Sequence, residues 1–136
     1  EALAKAGRDQ DAATHLRAAL AVMTTQLPES HEDLAFPLLG LAQLEQRRGD
    51  ARAAVALAER VVAIRELHDN DPPELARSRW LLARALADTG ERERASVLAA
   101  RARDGYVALG AAFSSDVAAI DAWMRAHPLP RHPSIP

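Results

Sequence analysis

His68-Asp69-Asn70-Asp71 sets an imidazole, two carboxylates and an amide in four successive residues. Hard divalent cations take oxygen donors of this kind, but a calcium loop also needs a glycine for its sharp turn and a distal glutamate that chelates through both oxygens. Neither is present at the required spacing, so the stretch reads as a solvated turn whose last residue caps the next helix. His127 and His132 are a second candidate pair, on a tail with no carboxylate or thiolate to complete a metal's shell. The other histidines, His15, His31 and His68, fall on separate elements. There is no cysteine, hence no thiol catalysis, thiolate ligation or disulfide. A phosphate-cradling glycine loop, a His-Glu-x-x-His pair and a glycine-flanked serine nucleophile are all missing. The sequence therefore offers no catalytic residues, no metal ligands and no cofactor site.

Arginine is the side chain left with recognition chemistry. Lys5 is the only lysine among 17 basic residues, and guanidinium forks suit bidentate contact with carboxylates, although genomic base composition produces the same bias. Net charge is −2 with acids and bases interspersed, which gives no long-range attraction for phosphate backbones or anionic membranes. Neither nucleic acid nor membrane is expected as a partner. No apolar stretch approaches transmembrane length, and a signal peptide is not expected. The chain starts without Met, partway through a repeat, and reads as a fragment of a longer cytoplasmic protein.

The elements that must position those arginines are helices. The chain is 49% hydrophobic but only 4% aromatic, and rich in alanine, leucine, glutamate and arginine, which lose little side-chain entropy in a helix. Residues 1–6 resemble the last turns of a helix, followed by a break at Gly7-Arg8. From about Asp9 to Gln26, Ala12, Leu16, Ala19, Leu20 and Met23 recur at three- and four-residue steps, one apolar stripe. Ser30-His31-Glu32-Asp33 looks like a capped start leading to Leu34, Leu38, Leu41, Ala42 and Leu44, with Pro37 either kinking that helix or delaying it to about Ala35. Gly49 closes it, and Asp50 caps a partner over about 51–68 with Ala54, Leu57, Ala58, Val61, Val62 and Arg65 inward. Asp71 and Pro72 open a helix over 72–88, which ends at Gly90 and is followed by another over 92–109. Ser114-Ser115-Asp116 opens a last one to about Ala126, and the proline-rich tail from His127 is expected to be extended and unpacked.

These elements repeat. Gly7, Gly49 and Gly90 recur at intervals of 42 and 41 (49−7 and 90−49), each followed at the fifth position by alanine, Ala12, Ala54 and Ala95. Leu41-Ala42 and Leu82-Ala83 precede the last two glycines at matching offsets. Such a period marks stacked supersecondary units. The expected divisions are a helical repeat domain at 1–127 and a tail at 128–136. Within the domain, 1–30 is a truncated first unit, 31–70 a second, 71–110 a third, and 113–127 a helix capping the apolar end.

Leu-Ala in a first helix, glycine at the turn and alanine at the fifth position after it resembles tetratricopeptide repeats. The long period, with HEDLA at 31–35, DPPELA at 71–76 and AIRE at 63–66, is most similar to the kinesin-light-chain type. Arg79 and Glu45 depart from it, standing where members often carry a large apolar or aromatic residue. The resemblance covers about residues 1–110. It implies an all-α, right-handed superhelix of stacked antiparallel helix pairs, with a C-terminal capping helix added after them. RARDGYVALG followed by IDAWMRAH is loosely similar to the ends of large bacterial serine/threonine kinases that carry such repeats.

In tetratricopeptide arrays the first helix of each pair lines a concave face. Counting from Leu41 and Leu82, that face should hold Phe36, Leu39, Gln43, Gln46 and Arg47, then Arg77, Trp80, Arg84 and Ala87. Members that bind chaperone tails use lysines and asparagines there, whereas Leu39 and Gln43 occupy the clamp positions in this chain. The resemblance implies a non-catalytic protein-interaction module in a larger bacterial signalling protein. Its expected site is Phe36, Leu39, Gln43, Arg47, Arg77, Trp80 and Arg84, taking an extended or helical segment with acidic residues. Two alternatives stay open. Trp80 packs between first helices while the arginines are solvated or paired with Glu45, Glu74 and Asp88, or the array is a spacer or self-association element that forms a homodimer through its truncated N-terminal end. Pro128 to Arg131 also has the makings of a proline-rich docking segment.

Overall fold

A computed structural model describes residues 2–129. Six α-helices follow one another: α1 (Ala2–Gln26), α2 (Ala35–Arg48), α3 (Ala51–His68), α4 (Pro72–Asp88), α5 (Arg92–Leu109) and α6 (Ser114–Ala126). Neighbours in sequence are neighbours in space, so the chain stacks as antiparallel hairpins rather than closing on one centre. Among the described residues there is no strand. The tail from residue 130, with His132 of the candidate His127–His132 pair and the second half of the proline-rich docking segment, lies outside the described residues.

The turns form where local chemistry requires them. Gly49 takes a φ of 84°, the left-handed conformation that a Cβ disfavours, and lets the Asp50 N–H reach back to the Glu45 carbonyl at 2.9 Å. Asp50 Oδ1 then accepts the Ala53 N–H at 3.1 Å and starts α3. Gly90, with a φ of 90°, makes the equivalent turn between α4 and α5. Asp71 caps α4 by accepting the Glu74 N–H at 3.3 Å, with Pro72 at the first helical position.

Two expectations from the sequence change. Gly7 does not break α1, which runs unbroken from Ala2 to Gln26. Gly7 is not among the positive-φ residues, and a Cβ there would meet nothing within 4 Å. Keeping a glycine in the helix costs about 1 kcal/mol, less than abandoning backbone hydrogen bonds when no helix folds back at that point. Ser30 is not a cap either. Its carbonyl accepts the His68 Nε2–H at 2.8 Å, and His31 Nδ1 instead accepts the Asp33 N–H at 3.1 Å, opening a short 3-10 turn, Glu32–Leu34. Regular helix then begins at Ala35, placing Pro37 in the first turn, where the N–H it lacks has no intrahelical partner to lose.

The core forms three connected clusters. One joins α2, α3 and α4 through Leu38, Val61, Leu81 and Leu86, and a second joins α4, α5 and α6 through Ala83, Ala99, Ala102 and Ile120. A smaller third docks α1 onto α2 through Ala13, Leu41 and Leu44. Close approach is built in: a Cβ on Gly105 would stand 3.3 Å from the Ala76 Cβ, and one on Gly40 would stand 2.9 Å from Leu16 Cδ1. Glu45, only 4% exposed, is matched in the α1–α2 contact by Arg17 and Arg48, which both donate to its Oε1 at 3.1 Å. At the other end, Arg103 on α5 grips Asp121 on α6 through Nε and Nη2.

Candidate interaction groove

The His68–Asp71 turn is spent on structure. Besides the His68 bond to Ser30, Asn70 Nδ2 donates to Glu32 Oε2 at 2.7 Å, Asp69 takes a φ of 45° at the end of α3, and Asp71 caps α4. The Asn70 bond holds the Glu32 carboxyl below its ordinary pKa. The turn therefore hooks the end of one hairpin to the start of its first helix. Among the described residues no three histidine or acidic side chains gather closely enough to hold a metal ion.

A cleft of about 320 Å³ opens between α2 and α4, lined by Gln43, Gln46, Arg47, Arg77, Leu81 and Arg84. Four of the seven residues expected from the sequence, Gln43, Arg47, Arg77 and Arg84, thus come together, their side chains supplied by the first helices of successive hairpins. Leu39 does not join them. At 5% exposed it belongs to the core cluster with Val62 and Leu81, too short and too apolar to reach the surface from its position on α2. Phe36 is 60% exposed but lies off the cleft, its ring over the Arg65 guanidinium at 4.8 Å. Trp80 is half-buried and meets Trp123 of α6 edge to face at 5.4 Å. It is fastened by the last helix rather than free to anchor a ligand, and its ring carries Arg84 at 4.8 Å.

The three groove arginines differ in what occupies them. Arg47 donates through Nε at 3.3 Å and Nη2 at 3.2 Å to the Asp9 carboxylate, which tethers α1 to α2 and holds the Asp9 carboxyl below its ordinary pKa. Arg77 stands 3.6 Å from Glu74 and is half exposed. Arg84 makes no ion pair among the described residues, and its Nε is buried without a hydrogen-bond partner. Burial lowers its pKa, against the opposing influence of Tyr106 and Asp88, but a guanidinium stays charged at any physiological pH. A desolvated, unpaired cation on an aromatic platform is a strong local attractor for a carboxylate.

Sequence reasoning placed two residues that matter here in the inward helical stripes without giving either a role in a site. Arg65 and Tyr106 rise from the second helices, α3 and α5, at equivalent positions, offset by the same interval as Gly49 and Gly90 (106−65 and 90−49). That register was the available signal. Tyr106 is 4% exposed and stacks on Phe113 at 5.4 Å, and burial raises its hydroxyl pKa. A wider cleft of about 580 Å³ lies on the other side of the stack between α3 and α5, floored by Val62, Ala63, Leu82 and Val97 and edged by Glu59, Glu66, Arg94 and Arg101.

Residues 1–67, from α1 nearly to the end of α3, match the family model of the tetratricopeptide repeat. Over that span the chain carries tetratricopeptide repeats. The α4–α5 hairpin repeats the glycine turn of α2–α3, although Glu91, standing where Asp50 does, makes no side-chain cap bond, and α6 lies against the α4–α5 hairpin. No curated protein matches the chain. Tetratricopeptide repeats are protein–protein interaction modules, typically without catalytic activity, and they bind proteins or peptides. Among the described residues of this repeat array, no helix is long and apolar enough to cross a membrane.

Proposed function

We propose that this tetratricopeptide array is a non-catalytic module that captures an acidic segment of a partner protein in the α2–α4 groove. The observation that carries the reading is Arg84: a half-buried guanidinium with an unpartnered Nε, beside Arg77 and the two glutamines Gln43 and Gln46. Three guanidiniums line the cleft of a chain whose net charge is −2, so the positive field is local to the groove. Arg84 and Arg77 grip carboxylates, the glutamines hydrogen-bond the segment's backbone, and Leu81 supplies the apolar floor. The kinesin-light-chain-like period and the similarity of RARDGYVALG and IDAWMRAH to kinase C-terminal regions support a place in a larger cytoplasmic bacterial signalling protein.

The direct test is fluorescence anisotropy of a labelled hexaglutamate peptide against the wild type and Arg77→Gln/Arg84→Gln. Trp80 is left intact because it braces α6. The double variant is expected to bind at least about tenfold more weakly, as the loss of one or two charge-assisted contacts requires. Equal binding by both proteins would remove the groove from consideration.

A second reading has its own support. α1 packs chiefly on α2, leaving Ala18, Ala21 and Val22 (60% exposed) uncovered on its outer side. On this reading the array is a spacer that self-associates through α1. Light scattering across a concentration series separates the two: a mass that doubles, and reverts with Val22→Glu, favours self-association.

A further inference from the structure

Arg65 is 6% exposed at the end of α3, in the gap between the first turns of α2 and α4. Its Nη1 faces the Asp71 carboxylate at 3.7 Å, and the Phe36 ring of α2 covers the guanidinium at 4.8 Å. Its other edge is unpartnered: both Nε and Nη2 are buried without hydrogen-bond partners. Nε and Nη2 form one parallel pair of donors, the edge that accepts a carboxylate through both oxygens. The chain uses that same edge twice, in Arg47 to Asp9 and in Arg103 to Asp121. In Arg65 alone of these three it is unfilled, and Arg65 is also the most deeply buried of them.

We infer that the Arg65 fork is a recognition subsite for one side-chain carboxylate of a bound acidic segment, gated by the Phe36 ring. The inference rests on the groove reading above and extends it along the array from Arg77 and Arg84 toward the start of α2. Phe36 is exposed on its outer side and turns away on the fast timescale of surface side chains. Once the ring has turned away, the incoming carboxylate lies in the guanidinium plane and fills both free donors. A donor pair buried without partners is costly in a folded protein, which is why a ligand that satisfies it binds with a gain no exposed arginine offers.

The test is a titration of hexaglutamate into protein carrying ¹⁵N-arginine, reading the Nε–Hε resonances assigned by Arg→Lys substitution at 65, 77 and 84. The Arg65 signal is expected to move and saturate with hexaglutamate but not with hexaglutamine. Arg65→Lys, which keeps the charge without the fork, is expected to weaken binding about tenfold with unchanged helical circular dichroism. Phe36→Ala is expected to bind at least as tightly as the wild type. Movement of Arg77 and Arg84 with Arg65 still leaves the groove reading standing and overturns this inference. Movement of Arg65 alone does the reverse, and silence from all three overturns both. An equal response to acetate at the same carboxylate concentration makes Arg65 a generic anion site and also overturns it.

Discussion

Trp123→Ala removes the side chain that ties the last helix to the groove. Trp123 is half-buried, packs against both the α2–α4 and α4–α6 clusters, meets Trp80 edge to face at 5.4 Å and stacks on His127 at 4.3 Å. A tryptophan buries about 150–250 Å² at most, so truncating a half-buried one exposes roughly 100 Å². At about 25 cal/mol per Å² that loses about 2.5 kcal/mol. The aromatic pair adds about 1 kcal/mol, for a total near the low end of core Trp→Ala losses. At this chain length each kcal/mol shifts the melting temperature by about 3–5 °C, so the drop is about 10–18 °C. Because stability in a repeat stack is shared between nearest neighbours, the α5–α6 end melts first and α1–α3 later. The assay is thermal circular dichroism alongside tryptophan emission. The chain has two tryptophans, so the variant reports on Trp80 alone, and its emission shifts red as water reaches the ring. Hexaglutamate binding weakens as well, since Trp80 is the platform for Arg84. A melting temperature within about 2 °C of the wild type and an unshifted Trp80 spectrum would refute the bracing role given to α6.

Gly49→Ala forces a Cβ into a left-handed conformation and is expected to cost about 1–2 kcal/mol by urea denaturation, although the space around it is open. Glu45→Met exchanges a buried carboxylate for an apolar group of similar length. Its partners Arg17 and Arg48 are half exposed and can return to water, so stability measured the same way stays within about 1 kcal/mol of the wild type. Asp9, Glu32 and Asp121 all have lowered pKa values, caused first by hydrogen bonds from Arg47, Asn70 and Arg103. Their folded forms hold fewer protons than the unfolded chain in the acid range, so the stability they contribute is present above the ordinary carboxylate pKa and is lost as pH falls through the folded one. Melting temperature is therefore level from neutral pH to about 5 and falls below about 4. Asp121→Asn is expected to melt lower at neutral pH and to show a shallower acid fall.

Much of this fold is written in local chemistry. Asp50, Asp71, Gly49 and Gly90 mark α3, α4 and α5 to within a residue, because caps and left-handed turns are properties of one or two side chains. Gly7 falls on the same repeat interval, with the same alanine at the fifth position, but makes no turn: Arg8 follows it where Asp50 and Glu91 follow the other two, and α1 runs straight through it. Periodicity exposes one apolar stripe per helix. It missed Ala35, Leu81, Ala85 and Ser78, which are buried because α2 and α4 lie between neighbours on more than one side. The groove arginines were legible from repeat register alone. Leu39 and Trp80 share that register, yet one sinks into the core and the other turns to Trp123. Side-chain length and the presence of α6 decide that difference, and neither is a property of the repeat. Arg65 was visible only as a member of the inward stripe, because whether a guanidinium's donors are filled depends on residues far away in sequence.

Selection of random peptides displayed against the wild type and against Arg77→Gln/Arg84→Gln tests the central claim most directly, since it lets the groove choose its own ligand. The account predicts wild-type sequences enriched in aspartate and glutamate that are lost from the double variant. Enrichment of uncharged sequences, or of the same acidic ones by both proteins, would contradict it.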